Sequence, residues 1–554
     1  MYAFGKKELW ALAGLTFLLI LALLHNLGIV PLYAEEPRRA TVALEMLLRG
    51  NWIVPTINGE IYQLKPPVFN WIIASIYQIT DNPSEFHTRL TTVFSLLILG
   101  VIIFWAGRKY VSTSFGALSA FLFATASGNL FFNSLLAEID MFYSMITYAG
   151  LISLFHFYQR KKFFALFLIV YFLGAVGTLT KGLPSLLFTG LSILIFFIVN
   201  KDFRKLFTIA HYTGILLYLL IVGGYFVAYS RYGGDAVSYL LNLSVESGKR
   251  FSGDTFWDYL QHMVLYPLDT LMNLLPASIL LIFAFRRSFL ADIRLNPLMK
   301  FALLMLVVHF PVYWLPPGGR QRYIIMLYPF IVQIITYFYL IYFTSEKRTF
   351  RILSITIGVT ILLLAIGSLV PFFLNQLEIP NLFLICLSAF LLLGLIGFYQ
   401  LKRPKHTIIS LIFALIVLRF LFGFIVLPVR ATEGKAPENR DAALKIAGMT
   451  EGQQVNILHP TYFPMQSVLY FEKERKEILH ISKKVKPGQF YILSKSILHD
   501  YSFYRETNTL TLNPLKPKSD PYSRDNIKPL SLYPFKTMLE FRLQKKNYLL
   551  ILPE

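Results

Sequence analysis

The sequence predicts an all-α polytopic membrane protein of about thirteen transmembrane helices, followed by a small extracytoplasmic α/β domain. The first observation is composition: 55% of the 554 residues are hydrophobic and 15% are charged, whereas soluble domains carry about 25% charged residues. The second is patterning, because apolar residues recur in blocks of roughly 17–25 residues, the length that spans a bilayer as a helix. The third is a shift to polar composition beyond Pro428. Lipid must therefore cover much of the chain before Pro428.

The placement of positive charge orients these helices. The net charge is +21, but the lysines and arginines cluster in short gaps between apolar blocks, which is the positive-inside pattern of membrane proteins. This placement argues against nucleic acid as a partner and predicts a cytoplasmic N-terminus. We expect a transmembrane domain over residues 1–428 and an extracytoplasmic α/β domain over residues 429–554. The predicted spans lie near residues 10–32, 88–107, 113–133, 141–158, 163–179, 183–200, 207–229, 267–285, 298–315, 323–343, 352–374, 381–400 and 407–428.

The first long outer segment, residues 33–87, contains its own predicted elements. Apolar residues over 40–48 follow the i, i+3, i+4, i+7, i+8 spacing of a one-sided helix, which we expect to lie in the membrane interface. Asn58-Gly59 predicts a tight turn. A second amphipathic stretch runs over residues 69–79.

The second long outer segment, residues 230–266, is predicted to be a mobile loop because glycine pairs and a Ser-Gly-Lys-Arg sequence interrupt it. In the C-terminal domain, short apolar runs alternate with polar or helical stretches and predict strands. These runs lie at residues 455–458, 478–481, 490–493 and 548–552.

Charged residues at membrane depth or at its outer interface are informative because their placement there costs free energy. Glu35 and Glu36 directly follow the first span, and a carboxylate at the lip of a cavity can act as a general base. Arg39, four residues after Glu35, and Arg38, two after Glu36, provide a local ion pair that would hold one carboxylate ionised. An ordinary charged helix boundary would explain the same residues.

Two further positions join this set. Two prolines follow Lys65 and fix its backbone, and a rigid lysine near an interface suits a lipid phosphate, although interface anchoring alone also explains it. Asp140 opens the fourth predicted span, where a helix N-terminus favours an acid regardless of function. We take Asp140 as a second candidate catalytic acid.

Several cations lie on the outer side, against the orienting bias of membrane proteins. Arginine and lysine at this interface would stabilise the charge that a leaving phosphate gains during transfer. His262 and His309 show no metal-ligand spacing, so no protein metal site is predicted. The outer cations are Lys181, Lys249, Arg250, Arg320 and Arg322, the last of which precedes Tyr323.

A longer pattern links these residues. It comprises Glu35-Glu36-Pro37-Arg38, Asn51-Trp52-Ile53-Val54-Pro55, Asn58-Gly59, Tyr62 and Lys65-Pro66-Pro67. This pattern resembles the first outer loop of bacterial aminoarabinose transferases, which belong, with the protein O-mannosyltransferases, to the GT-C class of membrane glycosyltransferases. Weaker motifs later in the chain fit as well: Asp140-Met141, Thr180-Lys181-Gly182, Lys249-Arg250-Phe251 and Arg322-Tyr323.

The resemblance implies a sugar donor linked to undecaprenyl phosphate and transfer at the periplasmic face of a bacterial inner membrane. It implies that Glu35 is the catalytic base and that Lys65 contacts the donor phosphate, with Arg250 and Tyr323 beside it. Lys181 and Arg322 complete the expected phosphate-binding set, and Glu36, Arg38 and Tyr62 are expected to support the site.

Three positions depart from the family pattern. Glu35 stands where the family usually has aspartate, Arg39 replaces a usual aromatic residue, and Leu64 replaces the acid that usually precedes Lys-Pro-Pro in aminoarabinose transferases. Loss of an acid near the donor sugar argues against an amino sugar in particular. The sugar and the acceptor therefore stay open at this point.

The predicted reaction is a single inverting displacement that needs neither nucleotide nor redox cofactor; a divalent cation is conceivable, but no ligand motif supports one. We expect a monomer that acts on a lipid, glycan or protein acceptor among membrane lipids, as in lipid A modification or protein glycosylation. Two alternatives are a lipid-carrier flippase and a structural scaffold. Transporters concentrate ionisable residues at the bilayer midplane, whereas these acids cluster at the outer lip, and a scaffold leaves the outer cations unexplained.

Overall fold

The structure, a computed structural model, forms two compact units. The first unit comprises residues 1–29, 63–69 and 89–429, and the second comprises residues 30–62, 70–88 and 430–554. Residues 33–87 were predicted to belong to the transmembrane domain. In the structure most of them fall in the second unit, together with the C-terminal residues. The residues described are 5–248, 256–343, 345–374, 377–496, 501–506, 509–514, 535–544 and 546–553.

Apolar helices build almost all of the first unit, as the hydrophobic blocks predict. Short 3₁₀ turns connect several of them, including Asn133–Leu135, Phe203–Phe207, Ala277–Phe283 and Gln321–Leu327. The helices with most of their length in this unit are α1 (Lys6–Leu24), α4 (Glu85–Tyr110), α5 (Thr113–Ala124), α6 (Ser127–Phe131), α7 (Ile139–Gln159), α8 (Phe163–Lys181), α9 (Leu183–Val199), α10 (Ile209–Arg231), α11 (Ala236–Gly248), α12 (Phe256–Asn273), α13 (Phe289–Arg294), α14 (Pro297–Trp314), α15 (Tyr328–Tyr342), α16 (Lys347–Gly367), α17 (Leu382–Lys402) and α18 (Thr407–Thr432).

The structure confirms a multi-span membrane protein but not the exact count of thirteen spans. Among the described residues, nine helices are long and apolar enough to cross a bilayer, or up to eleven if two bent helix pairs each count as one span. A helix occupies every predicted span. The shortfall has a physical cause: α9 has only 17 residues, and tyrosines, serines and His156 lower the hydropathy of α7.

The second unit begins with two elements that the sequence predicted. Helix α2 spans Glu36–Arg49 and ends at Gly50, whose positive φ of 64° closes the helix. Strands β1 (Thr56–Ile57) and β2 (Glu60–Ile61) form a hairpin around Asn58-Gly59, both with positive φ. Helix α3 then covers Val68–Thr80.

The C-terminal part is an α/β arrangement, as predicted. Helices α19 (Lys435–Met449) and α20 (Met465–Arg475) accompany two sheets. The larger sheet contains β3 (Val455–Leu458), β4 (His480–Ser482), β6 (Phe490–Ser494), β9 (Phe535–Leu543) and β10 (Lys546–Pro553). Its strand order is β4-β3-β6-β10-β9, in which β3 runs parallel to β4 and β6 while β10 runs antiparallel to β6 and β9. The smaller sheet consists of β5 (Lys484–Val485), β8 (Thr509–Pro514) and β7 (Tyr501–Glu506), in that order.

Two local predictions were wrong. Helix α2 was expected to lie in the membrane interface, but both its faces are buried, and Ala40 and Leu44 pack against Leu469 of α20. Residues 230–266 were expected to form a loop, but α11 and the start of α12 occupy most of them. The glycines and serines that suggested a loop lie at the ends of α11, outside its apolar centre.

Candidate functional site

Four charged side chains converge in the first unit. Arg322 Nη1 donates a hydrogen bond to Glu138 Oε2 at 2.7 Å, and Lys181 Nζ donates to Asp140 Oδ1 at 2.6 Å. Arg322 Nε lies 3.8 Å from Asp140 Oδ2, which joins the two pairs. The Lys181 and Asp140 side chains are only 5% and 11% exposed. Of the predicted residues, the structure thus brings Asp140, Lys181 and Arg322 together and adds Glu138.

Helix ends position these four groups. Glu138 is the N-cap of α7 and Asp140 lies in its first turn, where the helix dipole favours acids. Lys181 is the last residue of α8, which ends because Gly182 adopts a φ of +85°. Arg322 belongs to the 3₁₀ turn that leads into α15. Because three separate segments meet here, the ion pairs fix the relative positions of their ends.

Aromatic rings enclose the cations. Lys181 Nζ lies 4.6 Å from the centroid of the Tyr143 ring and 5.1 Å from that of Tyr323. The Arg322 guanidinium lies 5.8 Å from the Tyr323 ring centroid. Such contacts favour a cation by about 0.5–2 kcal/mol, most when it is desolvated. Tyr323 therefore contacts Lys181 and Arg322, two of the four cations in the predicted phosphate-binding set.

Lys65 is held by a helix that the sequence analysis missed. Tyr239 of α11 donates a hydrogen bond to the Lys65 carbonyl at 2.7 Å, and Asn242 Nδ2 donates to Gln63 Oε1 at 2.6 Å. One turn further along α11, Leu243 would lie 3.5 Å from a methyl group placed on Gly182. The same helix thus contacts both the Lys65 turn and the end of α8.

The second unit contains the Glu35 cluster. Arg38 Nη1 lies 2.7 Å from Glu35 Oε2, and the buried Arg39 approaches the same oxygen at 3.8 Å. Arg39 also donates to the hydroxyl of buried Tyr62 at 3.0 Å. Glu36 is fully buried and accepts from the Tyr33 backbone N–H at 3.2 Å. The predicted local ion pair therefore forms, with Glu35 rather than Glu36 as the partner of Arg38.

Two of the predicted outer cations, Lys249 and Arg250, lie outside the described residues. In the part of the chain that the structure describes, no group of three or more histidine, cysteine, aspartate or glutamate side chains could hold a metal ion.

Comparisons with known proteins agree with this architecture. A family model described as dolichyl-phosphate-mannose-protein mannosyltransferase matches residues 64–225. An uncharacterised protein of Aquifex aeolicus is 26% identical over 265 residues, 47% of this chain and 50% of that protein. An undecaprenyl phosphate-α-4-amino-4-deoxy-L-arabinose arabinosyl transferase of Proteus mirabilis is 28% identical over 194 residues, 34% of each chain.

The structural comparison covers more of the chain. ArnT from Cupriavidus metallidurans, solved bound to undecaprenyl phosphate, superposes with a TM-score of 0.63 at 16% identity and covers 92% of this chain and 98% of that chain. The chain therefore has the fold of ArnT, and the partial sequence matches support the predicted resemblance to the GT-C class of membrane glycosyltransferases. Its sequence is similar to the aminoarabinose transferases over part of its length. Its sequence matches span about half of the Aquifex protein and a third of the Proteus enzyme.

Proposed function

We propose that the chain is an inverting glycosyltransferase that moves a sugar from undecaprenyl phosphate to a lipid, glycan or protein acceptor at the periplasmic face of the inner membrane. The observation that carries this proposal is the partial exposure of Arg322 together with its incomplete hydrogen bonding. Its side chain is 27% exposed, and its Nε is buried without a hydrogen-bond acceptor among the described residues. A partly exposed guanidinium whose Nε donor is not used is suited to a phosphate, because guanidinium groups can bind phosphate in a bidentate manner.

The cations have separate parts in this proposal. Arg322 and Tyr323 contact the donor phosphate, while Lys65 approaches it from the rigid Lys-Pro-Pro turn. Lys181 is already paired with Asp140 at 2.6 Å, so we assign it to the positive potential around the phosphate. Asp140 accepts from Lys181 and lies near Arg322, an arrangement that suits holding these cations in place better than removing a proton from an acceptor.

Glu35 is the proposed general base. Its carboxyl group is 37% exposed and lies against Arg38, so it is accessible to an acceptor hydroxyl. In the proposed reaction the acceptor oxygen forms a bond to the anomeric carbon and its proton passes to Glu35. The bond from that carbon to the phosphate oxygen breaks, and its electron pair leaves with undecaprenyl phosphate. A single displacement of this kind inverts the anomeric carbon. The Glu35 and Arg322 roles are tested independently because they belong to different units.

The test uses the purified full-length chain in lipid nanodiscs with undecaprenyl phosphate bearing a neutral pentose, a hexose or an amino sugar. Mass spectrometry of lipids and periplasmic proteins from cells with and without the gene supplies the acceptor. Arg322→Gln should lower the transfer rate by about 10²–10³-fold, the usual cost of losing one donor to a developing oxyanion. Arg322→Lys keeps the charge but loses the planar fork, so it should recover part of the rate.

The matched control is Arg320→Gln. Arg320 was grouped with the outer cations from the sequence, but the structure leaves it exposed, two residues from Arg322. Its loss should therefore leave transfer within about twofold, because exposed charges contribute little. Equal effects of the Arg320 and Arg322 variants would contradict the proposed phosphate contact. Movement of intact donor across the bilayer without transfer to any acceptor would instead identify a flippase.

A further inference from the structure

Two glutamates that the proposed reaction does not use meet inside the second unit. Glu45 of α2 and Glu472 of α20 are both fully buried, and the two carboxyl groups lie close enough for each to act on the other. Asn58 lies between them, because its backbone N–H donates to Glu45 and its side chain donates to the Leu479 carbonyl. Glu472 Oε2 is buried and accepts no hydrogen bond from the described residues. Two ionised carboxylates offer only acceptors to each other and repel strongly at low dielectric. Burial of the two groups together therefore favours one proton on the pair.

The surrounding donors decide which residue carries that proton. Glu45 accepts from Thr56 Oγ1 at 2.6 Å, from the Asn58 N–H at 2.5 Å and from the Gly59 N–H at 3.2 Å. These three donors stabilise a carboxylate. Glu472 accepts one bond, from the Leu479 N–H at 3.1 Å. Glu45 is therefore the carboxylate and Glu472 the neutral acid.

Burial, followed by the charge of Glu45, raises the pKa of Glu472 well above its ordinary value. Within the described residues, no charge other than the partner carboxyl acts on either glutamate. Arg49 and Glu60 are exposed, Lys473 pairs with Glu85, and Arg475 pairs with Glu477. The other ionisable groups on the elements packed around the pair are Glu36, Arg38, Arg39, Glu474, Lys476 and His480.

The pair connects three segments. Helix α2 contributes Glu45 and also carries the Glu35, Arg38 and Arg39 cluster at its start. The hairpin that donates to Glu45 leads directly to Tyr62, which accepts from Arg39. Helix α20 contributes Glu472. A change at this pair would thus shift α2 and the hairpin. It would also shift Arg38 and Arg39, the two arginines that pair with Glu35.

We propose that Glu472 is a positioning residue: its neutral carboxyl group donates a hydrogen bond to the Glu45 carboxylate and so fixes the helix that presents Glu35. The effect on transfer rests on the proposed function, whereas the shared proton does not. Loss of the proton as pH rises would put two negative charges in contact and loosen α2.

The sign of the pH dependence follows from the direction of the pKa shift. A carboxyl whose pKa is higher in the folded state holds a proton that the unfolded chain has lost, so stability decreases as pH rises from the unfolded pKa towards the folded one. Glu472→Gln should remove the part of this decrease that comes from Glu472; burial also raises the pKa of Glu45, so a smaller decrease remains. The amide can donate to Glu45 and accept from Leu479 without titrating, so it reproduces both hydrogen bonds of the neutral acid.

Glu45→Gln should behave differently. Both Glu45 oxygens face hydrogen-bond donors, so an amide NH₂ at this position must oppose at least one of them. The same change of acid to amide is thus expected to be tolerated at one position and destabilising at the other. Glu474→Gln, on the exposed side of α20, is the matched control and should resemble the unmodified protein.

The experiment measures the thermal unfolding temperature of the full-length chain in nanodiscs from about pH 5 to about pH 9. The unmodified protein and Glu474→Gln should lose stability as pH rises, Glu472→Gln should lose clearly less, and Glu45→Gln should unfold at lower temperature throughout. Equal profiles for the Glu45 and Glu472 variants, or an unchanged pH slope in Glu472→Gln, would overturn the shared proton.

Transfer assays on the same samples separate the two proposals. If Glu472 positions Glu35, the transfer rate of the unmodified protein should decline more steeply as pH rises than that of Glu472→Gln. An identical decline in both would overturn the positioning role. Absence of transfer in every sample, together with the predicted stability profiles, would overturn the proposed function and leave the shared proton supported.

Discussion

Replacing Lys181 with methionine should expose the energetics of the charged cluster in the first unit. Lys181 and Asp140 form a buried pair at 2.6 Å, with side chains 5% and 11% exposed. Methionine keeps most of the length and apolar stem of lysine but removes the charge. Asp140 would then be a buried carboxylate whose nearest remaining cation, among the residues that the structure describes, is Arg322, 3.8 Å away.

The size of the effect follows from this geometry. Removing one partner of a buried ion pair costs about 3–5 kcal/mol, because the other charge remains uncompensated. Arg322 is close enough to supply part of the lost interaction, so we expect about 3 kcal/mol for Lys181→Met. The double variant Asp140→Asn/Lys181→Met buries no unpaired charge from this pair and should lie within about 1 kcal/mol of the unmodified protein.

The assay is reversible unfolding in mixed SDS and non-ionic detergent micelles, with both single variants and the double variant compared in a double-mutant cycle. A coupling energy of roughly 3 kcal/mol or more is expected, at the upper end for residues in contact. Additive losses, or a loss below about 1 kcal/mol for Lys181→Met, would refute the view that the ion pair is buried and mutually compensating.

Three further outcomes are expected. Glu35→Gln should abolish transfer with unchanged expression, and near-normal turnover would contradict its role as base. Gly107→Ala should reduce the yield of folded protein on size-exclusion chromatography, because its methyl group would lie 2.6 Å from the Gly116 Cα. Gly59→Ala should lower the thermal unfolding temperature, because the φ of Gly59 is +74° and the added methyl group would lie 2.3 Å from the His480 ring. An unchanged unfolding temperature would argue against this close packing.

The sequence predicted the elements that rest on local patterns. Apolar blocks marked the helices, the period of residues 40–48 marked α2, and Asn58-Gly59 marked the hairpin turn. These predictions succeed because hydrophobic period and turn chemistry act over a few residues. The local ion pair of Glu35 was predictable for the same reason, since its partners lie three and four residues away.

The contacts that join distant segments were beyond such reasoning. Glu45 stands out as an acid among apolar neighbours on α2, but nothing local identifies Glu472 as its partner. The environment of α2 was predicted wrongly for the same reason. An amphipathic helix buries its apolar face against either lipid or protein, and the sequence does not show which of the two covers it. The structure shows Leu469 against that face.

The charge balance of the first-unit cluster explains why its members are hard to test singly. The charges of the two carboxylates and the two cations compensate one another, which lowers the free-energy cost of burying them in a largely apolar unit. Because Glu138, Lys181 and Arg322 come from three different segments, the same ion pairs also set the positions of helix ends. A phosphate would therefore meet cations that are already oriented, which is the arrangement that stabilises developing charge without reorganisation. Any charge-deleting variant alters fold and potential together, so the conservative Arg322→Lys, which keeps the charge and removes the fork, isolates the contribution of phosphate recognition.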